Sequence, residues 1–139
     1  MNNKIKTLNI EEKNVMGYLN DEHNTNYTLR DFPKKIDEED WNTISKFTYL
    51  SENFMEKYKD KLDWFKISIY QRLSEDLIKK HKKKVNWTCI SMHQKLSYSF
   101  IVKFKDYLDW NTIKEKYNLT YLDTCKRINF ENNKITLNI

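Results

Sequence analysis

Few residues in this chain have the type and spacing for acid–base, nucleophilic or metal chemistry. The histidines are His23, His81 and His93, and the cysteines are Cys89 and Cys125. They are spread along the chain, apart from any cluster of cysteines and carboxylates with the spacing of a tetrahedral metal site. An activated cysteine needs an adjacent base or cation to hold the thiolate, and no such pair is evident at either cysteine. Carboxylates are plentiful, and the run Asp37–Asp40 is the densest. A plainer role fits that run, because negative charge at a helix start is favourable by about 0.3–1 kcal/mol. The sequence therefore assigns no catalytic residue, no metal ligand and no cofactor, and the chain is expected not to be an enzyme.

The cations are more suggestive. Lys57, Lys80 and Lys103 recur at a fixed interval, with Lys126 one interval further on, and so do Lys59, Lys82 and Lys105. Between them, Lys79, Lys80, Lys82, Lys83 and Lys84 surround His81. Such a stripe attracts RNA, DNA or an acidic protein surface. Its bland reading is a solvated face with cations near helix C-termini. Tyr58, Tyr98 and Tyr107 are the neighbouring aromatics on which single-stranded bases would have to stack. Only 3 of the 25 basic residues are Arg. Arg is the fork that reads bases and phosphates, so the Lys bias weakens a base-specific reading. The scarcity of Ala, Gly, Pro and Arg also matches AT-rich coding.

The elements that must carry these residues follow from length, composition and periodicity. A chain of 139 residues fits one domain. One Gly excludes glycine-rich phosphate loops, which need several positions without Cβ, and argues against a turn-rich β-sandwich. Two cysteines make no disulfide framework and suggest a reducing compartment. The N-terminus lacks the apolar core of a signal peptide and no window is long and apolar enough to span a membrane. The expected setting is cytoplasmic. Residues 1–40 hold 6 basic and 9 acidic side chains, whereas 41–139 hold 19 and 11, so an acidic head precedes a basic body able to steer an anionic partner.

Trp41, Trp64, Trp87 and Trp110 lie 23 residues apart, and the units they open align without insertion or deletion. The fourth position of each unit is Ile44, Ile67, Ile90 or Ile113, and the tenth is Leu50, Leu73, Leu96 or Leu119. Asp40, Asp63, Asn86 and Asp109 precede the tryptophans. Ser51, Ser74, Ser97 and Thr120 follow the leucines. Both sets are helix N-cap types, whose short side chains accept a bond from an orphan backbone N–H. Each unit thus reads as two helices, for example Trp64 to about Gln71 and Ser74 to about Val85. Leu77, Ile78, His81 and Val85 fall on one face of the second, a spacing incompatible with a strand. Ser45, Ser68 and Ser91 recur where a small residue allows close helix approach. Gln71 and Gln94 share one position, with Thr48 and Tyr117 at its ends. They read either as turn hydrogen-bonders or as a binding ridge.

A 23-residue helical pair cannot bury its apolar stripe alone, whereas stacked pairs can. The predicted architecture is all-α, a short α-solenoid of about four two-helix repeats over residues 37–126. Residues 1–36 are expected to form an irregular N-terminal cap with a half-repeat, in which Phe32 and Ile36 stand in for a second helix. Residues 127–139 form a tail, and the alternating segments 3–10 and 133–139 read as short strands or frayed ends.

The pattern W-x-x-I-S-x-x-Q-x-L-S-E-x-F-I resembles the tandem repeats of proteins from giant DNA viruses, phages and AT-rich bacteria, a family with no general activity attached. It is matched well over residues 41–109 and partly over 110–126. The resemblance implies a virus- or phage-encoded helical-repeat interaction protein without catalytic residues. Two functions compete. One is a module docking a protein or ribonucleoprotein, in its sharpest form blocking a host defence complex such as a CRISPR effector. The other is direct RNA or DNA binding through the lysine ladders. A structural or assembly repeat is a third. The candidate binding residues are Lys57, Lys59, Lys79, Lys80, Lys82, Lys83, Lys84, Lys103, Lys105, Gln71 and Gln94.

Overall fold

Three of the four tryptophans are the first residues of helices. The computed structural model describes residues 3–47 and 49–119, with 3–8 through their backbone only. Among these the fold is all-α and contains no strand. Helix α1 spans Asn3–His23, α2 Glu38–Ser45, α3 Glu52–Lys57, α4 Trp64–Tyr70, α5 Glu75–Lys80, α6 Trp87–His93, α7 Tyr98–Lys103 and α8 Trp110–Lys116. None is long and apolar enough to cross a membrane. Thr48, Thr120, Cys125, Lys126 and the tail 127–139 with its expected strand lie outside the described residues.

The capping expected of the polar columns is present. The Asp63, Asn86 and Asp109 side chains accept from backbone amides of the first turns of α4, α6 and α8. Ser51, Ser74 and Ser97 do the same for α3, α5 and α7, each taking the amide three residues on. Asp40 departs from the pattern. Helix α2 begins earlier, with Asp37 as its cap, and Asp40 closes a capping box with it. The run Asp37–Asp40 favours that early start, since three acidic residues fill the first turn.

Helices of six to eight residues are too short to persist alone, so packing holds them. Helices α2, α4, α6 and α8 contact one another in succession, and α1 packs on α2 and α3. Ile44, Ile67, Ile90 and Ile113 are fully buried along this line, as are Ser45, Ser68 and Ser91. The serines do more than admit close approach. Ser45, Ser68 and Ser91 each donate to the carbonyl of their own tryptophan, at 2.7, 2.6 and 2.8 Å. Each also accepts the amide of the next unit's cap, Asp63, Asn86 or Asp109, at 2.9, 3.0 and 2.9 Å. One hydroxyl therefore ties each first helix to the start of the next.

The second helices are shorter than their apolar spacing suggests. Leu77, Ile78, His81 and Val85 are all buried on one face, but α5 ends at Lys80. His81 leaves the helical region (φ −102°, ψ 29°), and its carbonyl takes the amides of Lys84 and Val85 in a turn. The turn lets the ring lie 4.4 Å from that of Trp64.

The N-terminal region corrects the expectation for residues 1–36. The segment 3–10, read as a strand or frayed tail, opens α1, whose Glu12, Val15, Met16 and Leu19 are buried on one stripe. Their i, i+3, i+4, i+7 spacing is helical. The helix ends with Asn24 in the left-handed region (φ 50°), and the amide of Thr25 returns to the carbonyl of Asn20, the closure that satisfies an orphan helix carbonyl. Phe32 and Ile36 do enter the core, but Phe32 from a hydrogen-bonded turn and Ile36 from the irregular segment that follows it, neither from a helix. Phe32 packs on Trp41, Phe54 and Tyr58 with ring centroids 5.3–6.2 Å apart.

Candidate binding surface

The lysine columns lie at the ends of the second helices and in the turns that follow. Lys57, Lys80 and Lys103 are the last residues of α3, α5 and α7. Lys59, Lys82 and Lys105 are exposed two residues beyond them. Several of these cations are already matched. Lys57 pairs with Glu12 of α1 at 2.6 Å. Lys80 and His81 share the Glu56 carboxylate, each at 2.7 Å, and Lys84 pairs with Asp60 at 2.6 Å. Burial works against ionisation of Glu56, but the hydrogen bonds and charges of Lys80 and His81 hold its carboxyl below the usual range. The Lys84 hydrogen bond does likewise for exposed Asp60. The carbonyls of Lys59 and Lys82 accept the indole N–H groups of Trp64 and Trp87, at 2.7 and 2.9 Å.

One unit later the electrostatics reverse. The positions of Glu56 and Asp60 are occupied by Lys79 and Lys83, and those of Lys80, His81 and Lys84 by Lys103, Phe104 and Tyr107. Phe104 and Tyr107 lie 5.6 and 4.9 Å from the Trp87 ring, as His81 lies against Trp64. No ion pair engages Lys79, Lys82, Lys83 or Lys103 among the described residues. All four are exposed.

Gln71 and Gln94 do not form a binding ridge. Both are buried, and both amides bind the neighbouring backbone. Gln71 Oε1 accepts from Leu50 N at 2.9 Å, and Gln94 Oε1 from Leu73 N at 3.0 Å. Gln71 Nε2 donates to the Phe47 carbonyl at 2.5 Å, and Gln94 Nε2 to those of Ser68 and Gln71 at 3.1 and 2.8 Å. In the last unit two residues divide this work. The Tyr117 hydroxyl accepts from Leu96 N at 2.6 Å, while Lys116 Nζ donates to the carbonyls of Ser91, Met92 and Gln94. Burial lowers the pKa of that ammonium.

The remaining candidates are structural in their surroundings. His81 is buried. His23 Nδ1 lies 2.7 Å from Asp40, whose other oxygen accepts the Tyr27 hydroxyl at 2.8 Å. That bond, with burial, pushes the Tyr27 phenol up to about 12. Cys89 is buried and burial raises its thiol pKa, the opposite of an activated nucleophile. Among the described residues no cluster of His, Cys, Asp and Glu is arranged to hold a metal ion. Of the aromatics expected beside the lysines, Tyr58 is buried with its hydroxyl on Glu12 at 2.5 Å. Tyr98 and Tyr107 are exposed. Glu11 and Glu12 escaped sequence reasoning. Their only signal was the helical stripe from Glu12 to Leu19.

No family model, no curated protein and no solved structure matches this chain.

Proposed function

We propose that the protein is a non-catalytic helical-repeat interaction module, a short α-solenoid of about four 23-residue units. Its lysine face docks an anionic surface of a protein or ribonucleoprotein partner. The observation supporting this reading is the contrast between adjacent junctions. Glu56 and Asp60 pair with Lys80, His81 and Lys84, whereas Lys79, Lys82, Lys83 and Lys103 are exposed with no ion pair among the described residues. Like charges kept together without a partner oppose folding modestly, and an external anion relieves them. In the form suggested by size and by the viral and phage repeats it resembles, the protein blocks a host complex, such as a CRISPR effector, in the host cytoplasm.

The test is co-purification at physiological salt of the tagged wild type beside a Lys79→Glu, Lys82→Glu, Lys83→Glu variant, with and without nuclease. A defined partner retained by the wild type and lost by the variant supports the reading. Equal retention by both, or no partner, refutes it. The same lysines support direct RNA or DNA binding as a second reading. A nucleic acid as the sole retained species, with affinity falling steeply with salt, favours that alternative.

A further inference from the structure

Two of the most exposed rings of this protein, Tyr49 and Tyr70, lie along the edge where first helices give way to second helices, while Phe65 and Tyr107 are exposed elsewhere. After α4 the chain runs extended through Gln71 (φ −99°, ψ 149°), and after α6 through Gln94 (φ −90°, ψ 145°). Side chains alternate along extended backbone. Here Gln71 and Leu73 turn inward and Arg72 outward, and one unit later Gln94 and Leu96 turn inward and Lys95 outward. Tyr49 occupies the same register before buried Leu50. Gln94 binds the carbonyl of Gln71 and the amide of Leu73, so adjacent loops are fixed one helix spacing apart, about 8–10 Å.

Three features distinguish this edge. First, Tyr49 is 69% exposed, Tyr70 54% and Met92 53%. Neither tyrosine ring packs on another ring, and neither hydroxyl has a hydrogen-bond partner among the described residues. Second, Arg72, His93 and Lys95 belong to the same segments, exposed and with no carboxylate paired to them among the described residues. Third, residues 45–50, 68–73 and 91–96 contain no Asp or Glu. Beside the ladders Tyr58 is buried, and Tyr107, although 48% exposed, has its ring against that of Trp87.

We propose that this edge, formed by Tyr49, Tyr70, Arg72, Met92, His93 and Lys95, is a binding surface for single-stranded nucleic acid. Open tyrosine faces offer stacking platforms that any base accepts, and the interleaved cations track the phosphates. The rigid glutamine clasps behind the edge hold it in place before binding, so little ordering entropy is lost. The inference goes beyond the docking reading of the lysine face, although both use the stacked arrangement of units.

The test is fluorescence anisotropy on the full chain. The probes are a short labelled oligouridylate, the matching oligodeoxythymidylate, a duplex and a labelled polyglutamate. The wild type binds either single strand more tightly than the duplex or polyglutamate. Tyr49→Ala with Tyr70→Ala weakens single-strand binding at least about tenfold at unchanged salt slope. Arg72→Gln with Lys95→Gln lowers the slope by about 1.4, that is about 0.7 for each cation. Lys79→Gln with Lys82→Gln and Lys83→Gln has the smaller effect. Far-UV circular dichroism verifies the fold of each variant. Photo-crosslinking of thiouridine-containing RNA to the wild type, which needs no variant, marks Tyr49 or Tyr70. No binding at low salt, wild-type affinity in the edge variants, crosslinks confined to the ladders, or equal affinity for polyglutamate each overturns the proposal. Loss of the co-purified partner in the ladder variant with oligonucleotide binding intact separates the two surfaces.

Discussion

Glu11 holds Ser51 with both carboxylate oxygens: Oε1 accepts the backbone amide at 2.6 Å and Oε2 the hydroxyl at 2.5 Å. Glu75 grips Ser97 in the same manner, and Glu52 takes the amide of Ser74. The next residue of α1 follows the same logic. Glu12 accepts from Tyr58 and Lys57, as Glu56 pairs with His81 and Lys80 one unit later. Helix α1 thus presents to the first unit the two carboxylates that the first unit, through Glu52 and Glu56, presents to the second.

Glu12→Ala should therefore destabilise more than its surface neighbours. It leaves the buried Tyr58 hydroxyl without its acceptor, at a cost of about 1–3 kcal/mol. The expected loss in melting temperature is on the order of 5–10 °C. Lys13→Ala, at an exposed position of the same helix, should shift melting little. Equal melting of both variants in thermal circular dichroism would show that α1 does not act as this substitute.

The tryptophans should differ in what their indole nitrogens contribute. Trp64 Nε1 donates to the Lys59 carbonyl at 2.7 Å, whereas Trp41 Nε1 is buried with no partner among the described residues. Trp64→Phe loses a bond, worth about 0.5–1.5 kcal/mol, whereas Trp41→Phe removes an unpaired donor whose burial costs about 1–3 kcal/mol. Trp41→Phe is expected to be the milder change in urea unfolding, although Ala at either position should cost about 3–5 kcal/mol. A larger loss for Trp41→Phe contradicts this.

Gln94→Ala should loosen one junction and spare its neighbour. It strips the Leu73 amide of its acceptor and two carbonyls of their donor, on the order of 3 kcal/mol together. Hydrogen exchange supplies the local readout. The Leu73 amide should exchange faster while the Leu50 amide, held by Gln71, keeps its protection. Lys95→Ala next to it should fall within about 0.5 kcal/mol of the wild type.

The pH dependence follows from Glu56. Its folded pKa lies below the ordinary value, since the hydrogen bonds and charges of Lys80 and His81 outweigh burial. The unfolded chain then binds the proton first as pH falls. The stability from this group is complete above the unfolded carboxylate range and is lost as pH drops through the folded value. Glu56→Gln should lower stability at neutral pH and converge on the wild type in acid. A gap that persists unchanged at low pH would remove Glu56 from the account.

Much of the local structure was legible in the order of residues. The starts of six helices were written in Ser51, Asp63, Ser74, Asn86, Ser97 and Asp109, because a cap acts within three residues of itself. The buried isoleucine column followed from the 23-residue stride. Where reading by neighbours failed, the cause was local competition. An acidic run moved the start of α2 to Asp37, and a turn at His81 cut α5 short. Helix α1 was missed because alternation over residues 3–10 concealed the stripe beginning at Glu12.

By itself the sequence determined the period, the helix starts and the identity of the core columns, all properties of short-range hydrogen bonding and apolar spacing. The tertiary structure alone decided which polar residues are exposed. Gln71 became a buried clasp while Arg72 became surface. Lys80 was neutralised by Glu56, and Lys79 was left exposed without an ion pair among the described residues. The bonds that make these distinctions join residues 21 to 26 positions apart. At that separation chain order carries no directional information, and only packing brings donor and acceptor within hydrogen-bonding distance.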